Sequence, residues 1–435
     1  MLTQRNPGGT TSGEPIAGVV LLGGAHGTLA MARSFGRLGI PVALVTNDHP
    51  LPRWSHFVDR QFDWPGPDSP DAASFLLELA AEHDFRDWLL LPGGDGEVKL
   101  VASEQPRLGS AFRLMSSDWA ELNTLCDKQL LAQRAADAGI AVPRNFRVRS
   151  DSEAATLDMT FPVVLKPAMR VAWNAFTQAK AWRANSREQF VKLYRDAAGL
   201  VGADNVVVQE MIEGGGETQF SYAALWHNGA PVLEMTARRT RQYPIEFSYT
   251  STFVEACPND AVRDASRKLL GAGHFEGLVE IEYKFDAREG IYKVLDVNPR
   301  PWSWIALCDA AGLNLARAMQ DIACGRTVRP VTAMTNVAWV HATRDLAAAL
   351  QLIARDRLDI DVYLGSFRRR LVFSTFALDD PMPAIVDIPI TLYRVITRRL
   401  FSSAPAPAKL GAAKLELTVH AGPYSLDRRG DEMPR

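Results

Sequence analysis

The segment from Gly277 to Arg300, GLVEIEYKFDAREGIYKVLDVNPR, limits the fold more than any other part of this 435-residue chain. Polar and apolar residues alternate from Leu278 to Phe285, which predicts a half-buried β-strand. Asp286 to Gly290 forms a polar turn, and the alternation resumes from Ile291 to Asn298. The segment therefore predicts an antiparallel hairpin in which each strand has one polar face.

The two polar faces of this hairpin are expected to coincide. Directly opposed residues in an antiparallel pair lie on the same side of the sheet. With an odd-length loop at Asp286 to Gly290, even-numbered positions face even-numbered positions. The predicted patch comprises Glu280, Glu282, Asp296 and Asn298, with Tyr292 and Val294 on the same face of the second strand.

Three carboxylates and an amide oxygen on one strand face favour the binding of a hard cation, because the carboxylates otherwise repel one another. Oxygen-only ligands suit Mg²⁺ or Mn²⁺. We predict Glu282, Asp296 and Asn298 as metal ligands, with Glu280 assisting. Arg300 follows on a proline-flanked segment, where a fixed cation stabilises negative charge in phosphoryl transfer. The alternative interpretation is a solvated acidic hairpin.

This pattern, with Glu282 upstream of Asp296-x-Asn298-Pro-Arg300, resembles the Mg²⁺-binding end of the ATP-grasp superfamily. From the Pro-Gly-Gly-Asp stretch onward, the amino-acid sequence is similar to that of D-aspartate-ligase-like carboxylate–amine ligases. The resemblance covers roughly residues 19–325 and departs at Asp296, where the family more often has Glu. It implies an α/β chain with the α+β ATP-grasp fold.

The same resemblance, together with a prior of about 150 residues per domain, divides the chain into successive units. We expect a flexible tail at 1–15, a Rossmann-like pre-ATP-grasp domain at 16–120, a two-lobed ATP-grasp domain at 121–326, a small C-terminal α+β extension at 327–401, and a linker with a mobile tail at 402–435. The first unit opens as strand, glycine-rich turn and helix. Its glycines do not match G-x-G-x-x-G, so close helix–strand packing competes with dinucleotide binding as their explanation.

Two lysines are predicted to bind phosphate. The apolar run from Phe161 predicts a strand that ends at Lys166, and a fixed lysine suits phosphate as a point charge. The Cys126-Asp127-Lys128 helix start matches the family's Asp-Lys motif, which implies that Lys128 also reaches ATP phosphates. Family members follow the strand with a glycine-rich lid. Here residues 168–180 contain no glycine and carry Trp173, Phe176 and Lys180.

The resemblance also implies an adenosine site. A predicted buried strand ends at Glu210, and in the family the main chain around this position recognises the edge of the adenine base. The corresponding residues are Glu210, Met211 and Ile212. An acid seven positions after that Glu binds the ribose in the family, which implies the same role for Glu217. A plain strand–turn–strand unit is the alternative interpretation.

Three arginines lie in the stretch from Glu234 to Phe253, at Arg238, Arg239 and Arg241. On a strand, Arg239 and Arg241 share a face and could clamp a substrate carboxylate or an acyl phosphate. A solvated basic strand explains them almost equally well.

The composition excludes several classes of protein. A formal net charge of −2 gives no general attraction to nucleic acid. Four scattered cysteines show neither a disulfide framework nor a zinc pattern, which favours a cytoplasmic location. No apolar run is long enough to span a membrane. The segment at 385–399 is apolar and then basic, and it either contacts a membrane surface or packs against the body or a partner.

The sequence therefore predicts an ATP- and Mg²⁺-dependent (or Mn²⁺-dependent) ligase. A small-molecule acid would be activated as an acyl phosphate, and an amine would displace phosphate to form an amide, with release of ADP. Another acyl-phosphate ATP-grasp enzyme, of a carboxylase-like kind, is one alternative. A nucleotide-binding regulatory protein without turnover is the other, since the lid lacks glycine.

Overall fold

A computed structural model describes residues 13–47, 49–167, 174–178, 181–245 and 250–401. For 392–401 it describes the helical backbone only. Four features named above therefore lie wholly or mostly outside the described residues: the tail at 1–15, of which 1–12 are not described, Trp173 and Lys180 of the lid, and the tail at 402–435. Among the described helices, none combines the length and apolar character that crossing a membrane requires.

The N-terminal unit is a four-stranded parallel sheet flanked by helices. Its elements are β1 (Val19–Leu22), α1 (His26–Gly36), β2 (Val42–Thr46), β3 (Arg60–Asp63), α2 (Ala72–Glu82), β4 (Leu89–Pro92), α3 (Asp95–Ser103) and α4 (Gln105–Leu108). The strand order is β3-β2-β1-β4. The continuous apolar runs of β1, β2 and β4 are fully buried, as strands covered on both faces require. Beside β4, Arg113 forms an isolated parallel bridge with Leu89.

Two helices, α5 (Trp119–Cys126) and α6 (Lys128–Asp137), follow the N-terminal unit and share an apolar core with the largest sheet. A second, smaller lobe contains the strand that carries Lys166. Its elements are β5 (Asn145–Phe146), α7 (Asp151–Thr156), β6 (Val163–Pro167), α8 (Ala175–Gln178), β7 (Trp182–Ala184), α9 (Arg187–Val201) and β8 (Val206–Glu210). The sheet order is β5-β8-β6-β7, and all its pairs are antiparallel. Phe176 of the lid region is completely buried in this lobe's core.

The largest sheet has seven strands and carries the hairpin. Its elements and the helices around it are β9 (Gln219–His227), β10 (Ala230–Tyr243), β11 (Thr250–Ala256), α10 (Asp260–Gly271), β12 (Gly277–Asp286), β13 (Ile291–Asn298), α11 (Ala306–Ala310), α12 (Leu315–Ala323), β14 (Val337–Val340), α13 (Ala342–Ile353), α14 (Ile360–Ser366), β15 (Arg370–Phe373) and α15 (Met382–Phe401). The strand order is β13-β12-β9-β10-β11-β14-β15. The expected C-terminal extension therefore supplies two strands to the same sheet.

The hairpin brings the predicted polar residues together, but for a different local reason. Glu280 pairs with Asn298, and Glu282 pairs with Asp296. Near the turn, Asp286 pairs with Ile291, so the connecting loop is even in length and the predicted odd-length loop is wrong. A β-bulge at Leu295 shifts the register and restores the even pairing.

The bulge also changes which face Val294 occupies. Its side chain is only 2% exposed and belongs to the apolar core, not to the polar face as predicted. Val297, three positions on, lies in the same core. Alternation alone assigns these two residues to opposite faces, and the extra residue at Leu295 places both inward.

The N-terminal unit packs closely on the segment that follows the hairpin. A side-chain carbon on Gly27 would lie 2.7 Å from the carbonyl oxygen of Pro301 and 2.8 Å from that of Trp302. Only glycine fits this approach, so the first turn of α1 lies directly against the Pro301–Trp304 segment. Trp302 and Trp304 share one apolar core with β1, β2 and α1.

Candidate active site

The polar face of the hairpin begins at a buried glutamate. Glu280 is 4% exposed. Its Oε1 accepts hydrogen bonds from Ser221 Oγ at 3.0 Å and from Trp304 Nε1 at 2.9 Å. Burial, and then the charge of Glu282, raise the pKa of Glu280 to about 7. This carboxyl group is therefore fixed in position and carries a proton more readily than an exposed glutamate.

Glu282 is joined to an arginine from a strand two positions away in the sheet. Arg239 Nη1 lies 2.5 Å from Glu282 Oε2, and Arg239 Nε donates to Ser251 Oγ. Burial disfavours the Arg239 charge, but Glu282 and Glu280 outweigh burial and raise the pKa of Arg239. The guanidinium thus stays charged although only 6% of the residue is exposed.

The second strand of the hairpin adds Asp296 and Asn298 to this face. Lys128 Nζ lies 3.5 Å from Asp296 Oδ2, so the start of α6 reaches the carboxylate cluster. Burial raises the pKa of Asp296, although Lys128 opposes the shift. The Asn298 amide donates long hydrogen bonds of 3.4 Å to Glu280 and 3.5 Å to Glu282.

Arg300 bridges the hairpin and the N-terminal unit. Its Nε donates to Asp95 Oδ1, and its Nη2 donates to Asn298 Oδ1 at 3.3 Å. Burial opposes the Arg300 charge, but Asp95 outweighs it and raises the Arg300 pKa. Asp95 is the first residue of α3, and no side-chain cap is present at the start of that helix. The Asp95 carboxylate binds the predicted catalytic arginine.

A cavity of about 410 Å³ lies between the four-stranded sheet of the smaller lobe and the seven-stranded sheet, with Lys166 and Glu282 in its wall. Lys166 Nζ donates to Gln209 Oε1 at 2.8 Å. Lys284 Nζ donates to the carbonyl oxygen of Gly214 at 2.7 Å. Burial lowers the pKa of Lys284, while Glu217 and Glu213 oppose that shift. The volume lies within the range of small-molecule sites.

The predicted adenosine residues surround this cavity unequally. Glu210, Met211 and Ile212 all line it. Glu213 lines it as well, whereas Glu217 does not. Glu217 is exposed, and its Oε1 accepts from the Gly215 N–H at 2.8 Å.

The Glu210 side chain belongs to an internal ion network beneath the cavity. Lys293 Nζ lies 3.1 Å from Glu210, 3.0 Å from Asp286 and 3.1 Å from Glu289. These three carboxylates are close enough to hold a metal ion, but the lysine ammonium already lies among them. The Glu210 side chain is therefore already paired, and the Glu210 N–H donates to the carbonyl oxygen of Arg144 at 2.8 Å.

Two of the three predicted substrate arginines, Arg238 and Arg241, pair with acidic side chains that do not line this cavity. Arg241 makes two hydrogen bonds to Asp345, of 2.9 and 2.8 Å, with both side chains at most 3% exposed. Arg238 pairs with Glu255. The pairing of β10 with β11 shifts register between these positions, so the shared face predicted for Arg239 and Arg241 is not maintained. Arg239 alone of the three lines the cavities.

A second cavity, of about 460 Å³, meets the first at Arg239 and Glu282, which line both. It also contains Asp296, Asn298 and Arg300 of the hairpin segment. Sequence reasoning missed four of its residues: Asp95 as a partner of Arg300, His26, Thr250 and Arg344. Arg344 belongs to α13 of the C-terminal extension, so no short-range signal connects it with the hairpin.

The donor set tests whether a divalent cation fits the hairpin face. The candidate ligands are carboxylate and amide oxygens, which suit Mg²⁺ or Mn²⁺. The raised pKa values of Glu280 and Asp296 reflect crowded, partly dehydrated carboxylates, and a bound cation would relieve that crowding. The long hydrogen bonds from Asn298 are at the upper limit for such contacts. The residues present therefore fit the predicted metal.

The chain is similar to several known proteins in sequence and in fold. The chain is 24% identical over 318 residues to a D-aspartate ligase of Enterococcus faecium, covering 69% of this chain and 75% of that protein. An L-amino acid ligase from Bacillus licheniformis superposes with a TM-score of 0.54 at 14% identity, covering 71% of this chain and 75% of the other. No protein-family model matches the chain.

A further solved structure adds a nucleotide to the comparison. The biotin carboxylase domain of the Hydrogenobacter thermophilus 2-oxoglutarate carboxylase, in complex with MgADP and bicarbonate, superposes with a TM-score of 0.56 at 15% identity, covering 75% and 74% of the two chains. The chain has the ATP-grasp fold. The predicted resemblance to carboxylate–amine ligases of the ATP-grasp superfamily is confirmed. The roles of individual residues stay predictions.

Proposed function

We propose that this ATP-grasp chain is an ATP-dependent carboxylate–amine ligase that forms an amide through an acyl phosphate. The observation that carries the proposal is the wall shared by the two cavities. Glu282 and Arg239 line both. A nucleotide in the first cavity and an acid substrate in the second would meet at these two residues.

The first cavity suits ATP. Lys166 and Lys284 provide two cations in its wall, and fixed cations suit phosphate oxygens. Main chain at 210–212 lines this cavity, just where β8 ends, and would recognise adenine. Glu213 is better placed than Glu217 to accept hydrogen bonds from the ribose, since it lines the cavity. Lys128 would hold phosphate from the opposite side, beside Asp296.

Glu282, Asp296 and Asn298 would hold Mg²⁺ or Mn²⁺, with Glu280 assisting. When bound, such an ion supplies positive charge that neutralises the nucleotide phosphates. Ser221 and Trp304 fix the Glu280 side chain, and Arg239 fixes Glu282. These contacts hold the oxygens in place before substrates arrive, which lowers the cost of reorganisation during the reaction.

In the first step, an oxygen of the substrate carboxylate attacks the γ-phosphorus of ATP. The bond between that phosphorus and the β–γ bridging oxygen breaks, and ADP leaves with the electron pair. Arg300 reaches this position from the hairpin end and stabilises the charge on the transferring phosphoryl group. Arg239, held at Glu282, would orient the attacking carboxylate.

In the second step, the nitrogen lone pair of an amine attacks the acyl carbon. The bond from that carbon to the phosphate oxygen breaks, inorganic phosphate leaves, and the nitrogen loses a proton. Arg300 would then stabilise the departing phosphate. The second cavity, between the N-terminal unit and the large sheet, has room for both organic substrates.

The proposal is tested by measuring ADP release from the full-length chain with a panel of amino acids as acids and as amines. Hydroxylamine added with the acid should trap the acyl phosphate as a hydroxamate. Hydroxamate formation with an acid alone, and amide formation when an amine is present, support the ligase. Turnover that requires bicarbonate indicates the carboxylase-like alternative. Tight ATP binding with no ADP from any pair indicates a regulatory protein.

A further inference from the structure

The most exposed large apolar side chains of the described chain lie in the C-terminal extension. Every described large apolar side chain that is more than 55% exposed lies between positions 350 and 388. Leu378 is 90% exposed, Ile385 is 62% exposed and Ile388 is 61% exposed. Single exposed apolar residues are ordinary, but a concentration in one region marks a surface that contacts something else.

Helix α15 separates its apolar and acidic groups. Met382, Ile385 and Ile388 point outward and form what we call the α15 face. The carboxylate at Asp387 is 4% exposed, so it points inward. The two acids just before the helix are already paired, Asp380 with Arg33 and Asp379 with Arg37. The outward surface of the helix is therefore apolar, with its neighbouring negative charges buried or neutralised.

A tryptophan on the N-terminal unit lies beside this helix. Arg53 and Trp54 belong to a short 3₁₀ helix, Leu51–Trp54. They line a groove of about 640 Å³ together with Val386, Pro389 and Ile390 of α15. Trp54 is 49% exposed. Tryptophan is enriched where an apolar surface meets water, because its ring has an apolar body and a polar N–H.

The sequence adds positive charge to the end of the helix. Residues 388–415 contain Arg394, Arg398, Arg399, Lys409 and Lys414 and no Asp or Glu. The helical backbone continues to Phe401, so the three arginines lie in its last turns. The whole chain has a formal net charge of −2, so this positive charge is local to the C-terminal segment.

We propose that the α15 face, together with Trp54, docks on an anionic lipid surface. An outward apolar helix face flanked by arginines, with a neighbouring tryptophan, is the pattern of a helix that lies in a membrane interface. Anionic lipid complements a basic segment that contains no carboxylate. A symmetric dimer through the same face would cover the apolar residues, but the same segment of the partner, which has no Asp or Glu at 388–415, would supply no negative charge for the arginines.

The test is co-sedimentation of the full-length chain with vesicles of phosphatidylcholine, with and without phosphatidylglycerol. We expect binding to the anionic vesicles to exceed binding to the neutral ones by about tenfold or more. High salt should remove most of that binding, because screening weakens the contribution of the arginines. Ile385→Glu with Ile388→Glu should reduce binding by about tenfold, and so should Arg398→Gln with Arg399→Gln.

Leu200→Glu is the matched control. Like the two isoleucines, Leu200 is an exposed apolar residue, at 44%, but it lies on α9 of the smaller lobe. This variant should bind vesicles as the wild type does, and all variants should keep the wild-type melting temperature. Absence of wild-type binding to anionic vesicles would overturn the proposal. Equal loss in the Leu200 and isoleucine variants would also overturn it, as would a wild-type dimer that the isoleucine variant dissolves without any vesicle binding.

Discussion

Arg239 and Glu282 form an ion pair across β9, with the guanidinium 2.5 Å from the carboxylate and both groups at the junction of two cavities. The pair joins β10 to the hairpin strand β12, whereas β9 lies between them in the sheet. Because Glu280 also interacts with Arg239, one cation balances two carboxylates. This arrangement makes Arg239 the residue whose loss should affect both cavities at once.

We predict that Arg239→Gln greatly reduces turnover and weakens ATP binding, because Glu282 and Glu280 would face the nucleotide phosphates without their shared cation. Arg241→Gln should act differently. It leaves Asp345 buried without its partner, and breaking such a pair costs about 3–5 kcal/mol of stability. Denaturant unfolding and calorimetric ATP titration separate the two effects. Loss of ATP affinity in a folded Arg241 variant would contradict this assignment.

A second prediction concerns the nucleoside. ATP should raise the melting temperature more than GTP, because main chain at Glu210–Ile212 lines the first cavity and would recognise adenine. Glu213→Gln should weaken ATP binding by roughly tenfold, since a hydrogen bond to a charged group contributes about 1.5–3 kcal/mol. Glu217→Gln is the control, because the Glu217 carboxylate accepts from the Gly215 N–H and does not line the cavity. A larger effect at Glu217 would restore the role that the resemblance implies.

Local patterns in the sequence were sufficient to predict where individual strands, including those of the hairpin, begin and end. Alternation from Leu278 to Phe285 predicts β12 to within one residue at each end, and the strand predicted to end at Glu210 does end there, as β8. The bulge at Leu295 was not predictable in this way, because one extra residue depends on the pairing of two strands and not on the pattern of one.

Long-range ion pairs account for the rest of what the sequence did not reveal. Arg241 binds Asp345, 104 positions away, and Arg300 binds Asp95, 205 positions away. Neither partner can be inferred from spacing, because the fold decides which helices reach the sheet. For the same reason the C-terminal extension seemed separate in the sequence, although β14 pairs with β11 and α13 brings Arg344 to the second cavity.

The third prediction concerns Arg300. Arg300→Lys should lower turnover by about 100-fold or more, because a lysine cannot keep the planar fork that contacts both Asp95 and Asn298. Asp95→Asn keeps the shape but removes the charge partner, and it should lower turnover less. ADP release under saturating ATP measures both. A lysine variant as active as the wild type would show that phosphoryl transfer does not need the planar fork of Arg300.

The fourth prediction is a pH dependence that Glu280 produces. Its pKa is raised to about 7 from an ordinary 4.5, so the folded chain binds this proton more tightly than the unfolded chain. Between these two values the unfolded state has lost the proton while the folded state keeps it. The free energy of unfolding should therefore fall as pH rises from about 4.5 to about 7.

Glu280→Gln should remove that part of the slope, because glutamine does not titrate. The measurement is denaturant unfolding at several pH values without divalent cations, for the wild type and the variant. Since other groups titrate as well, the difference between the two profiles is the informative quantity. Identical slopes would mean that Glu280 is ionised throughout in the folded protein.

The last prediction tests the hairpin as a metal site. Asp296→Asn removes one anionic ligand and keeps the shape of the side chain. The variant should fold, and without metal it should be at least as stable as the wild type, because burial and Glu282 both disfavour the Asp296 charge. Its turnover should fall by several orders of magnitude, since a metal ion contributes several kcal/mol of charge stabilisation and each ~1.4 kcal/mol is tenfold in rate.

Asp260→Asn is the control, because Asp260 is an exposed acid paired with Arg263 on α10. The decisive measurement is ATP affinity as a function of Mg²⁺ concentration. Wild type and the Asp260 variant should bind ATP more tightly as Mg²⁺ rises, whereas the Asp296 variant should respond weakly. An unchanged Mg²⁺ response in the Asp296 variant would show that these carboxylates form a solvated acidic face and that the phosphoryl-transfer site lies elsewhere.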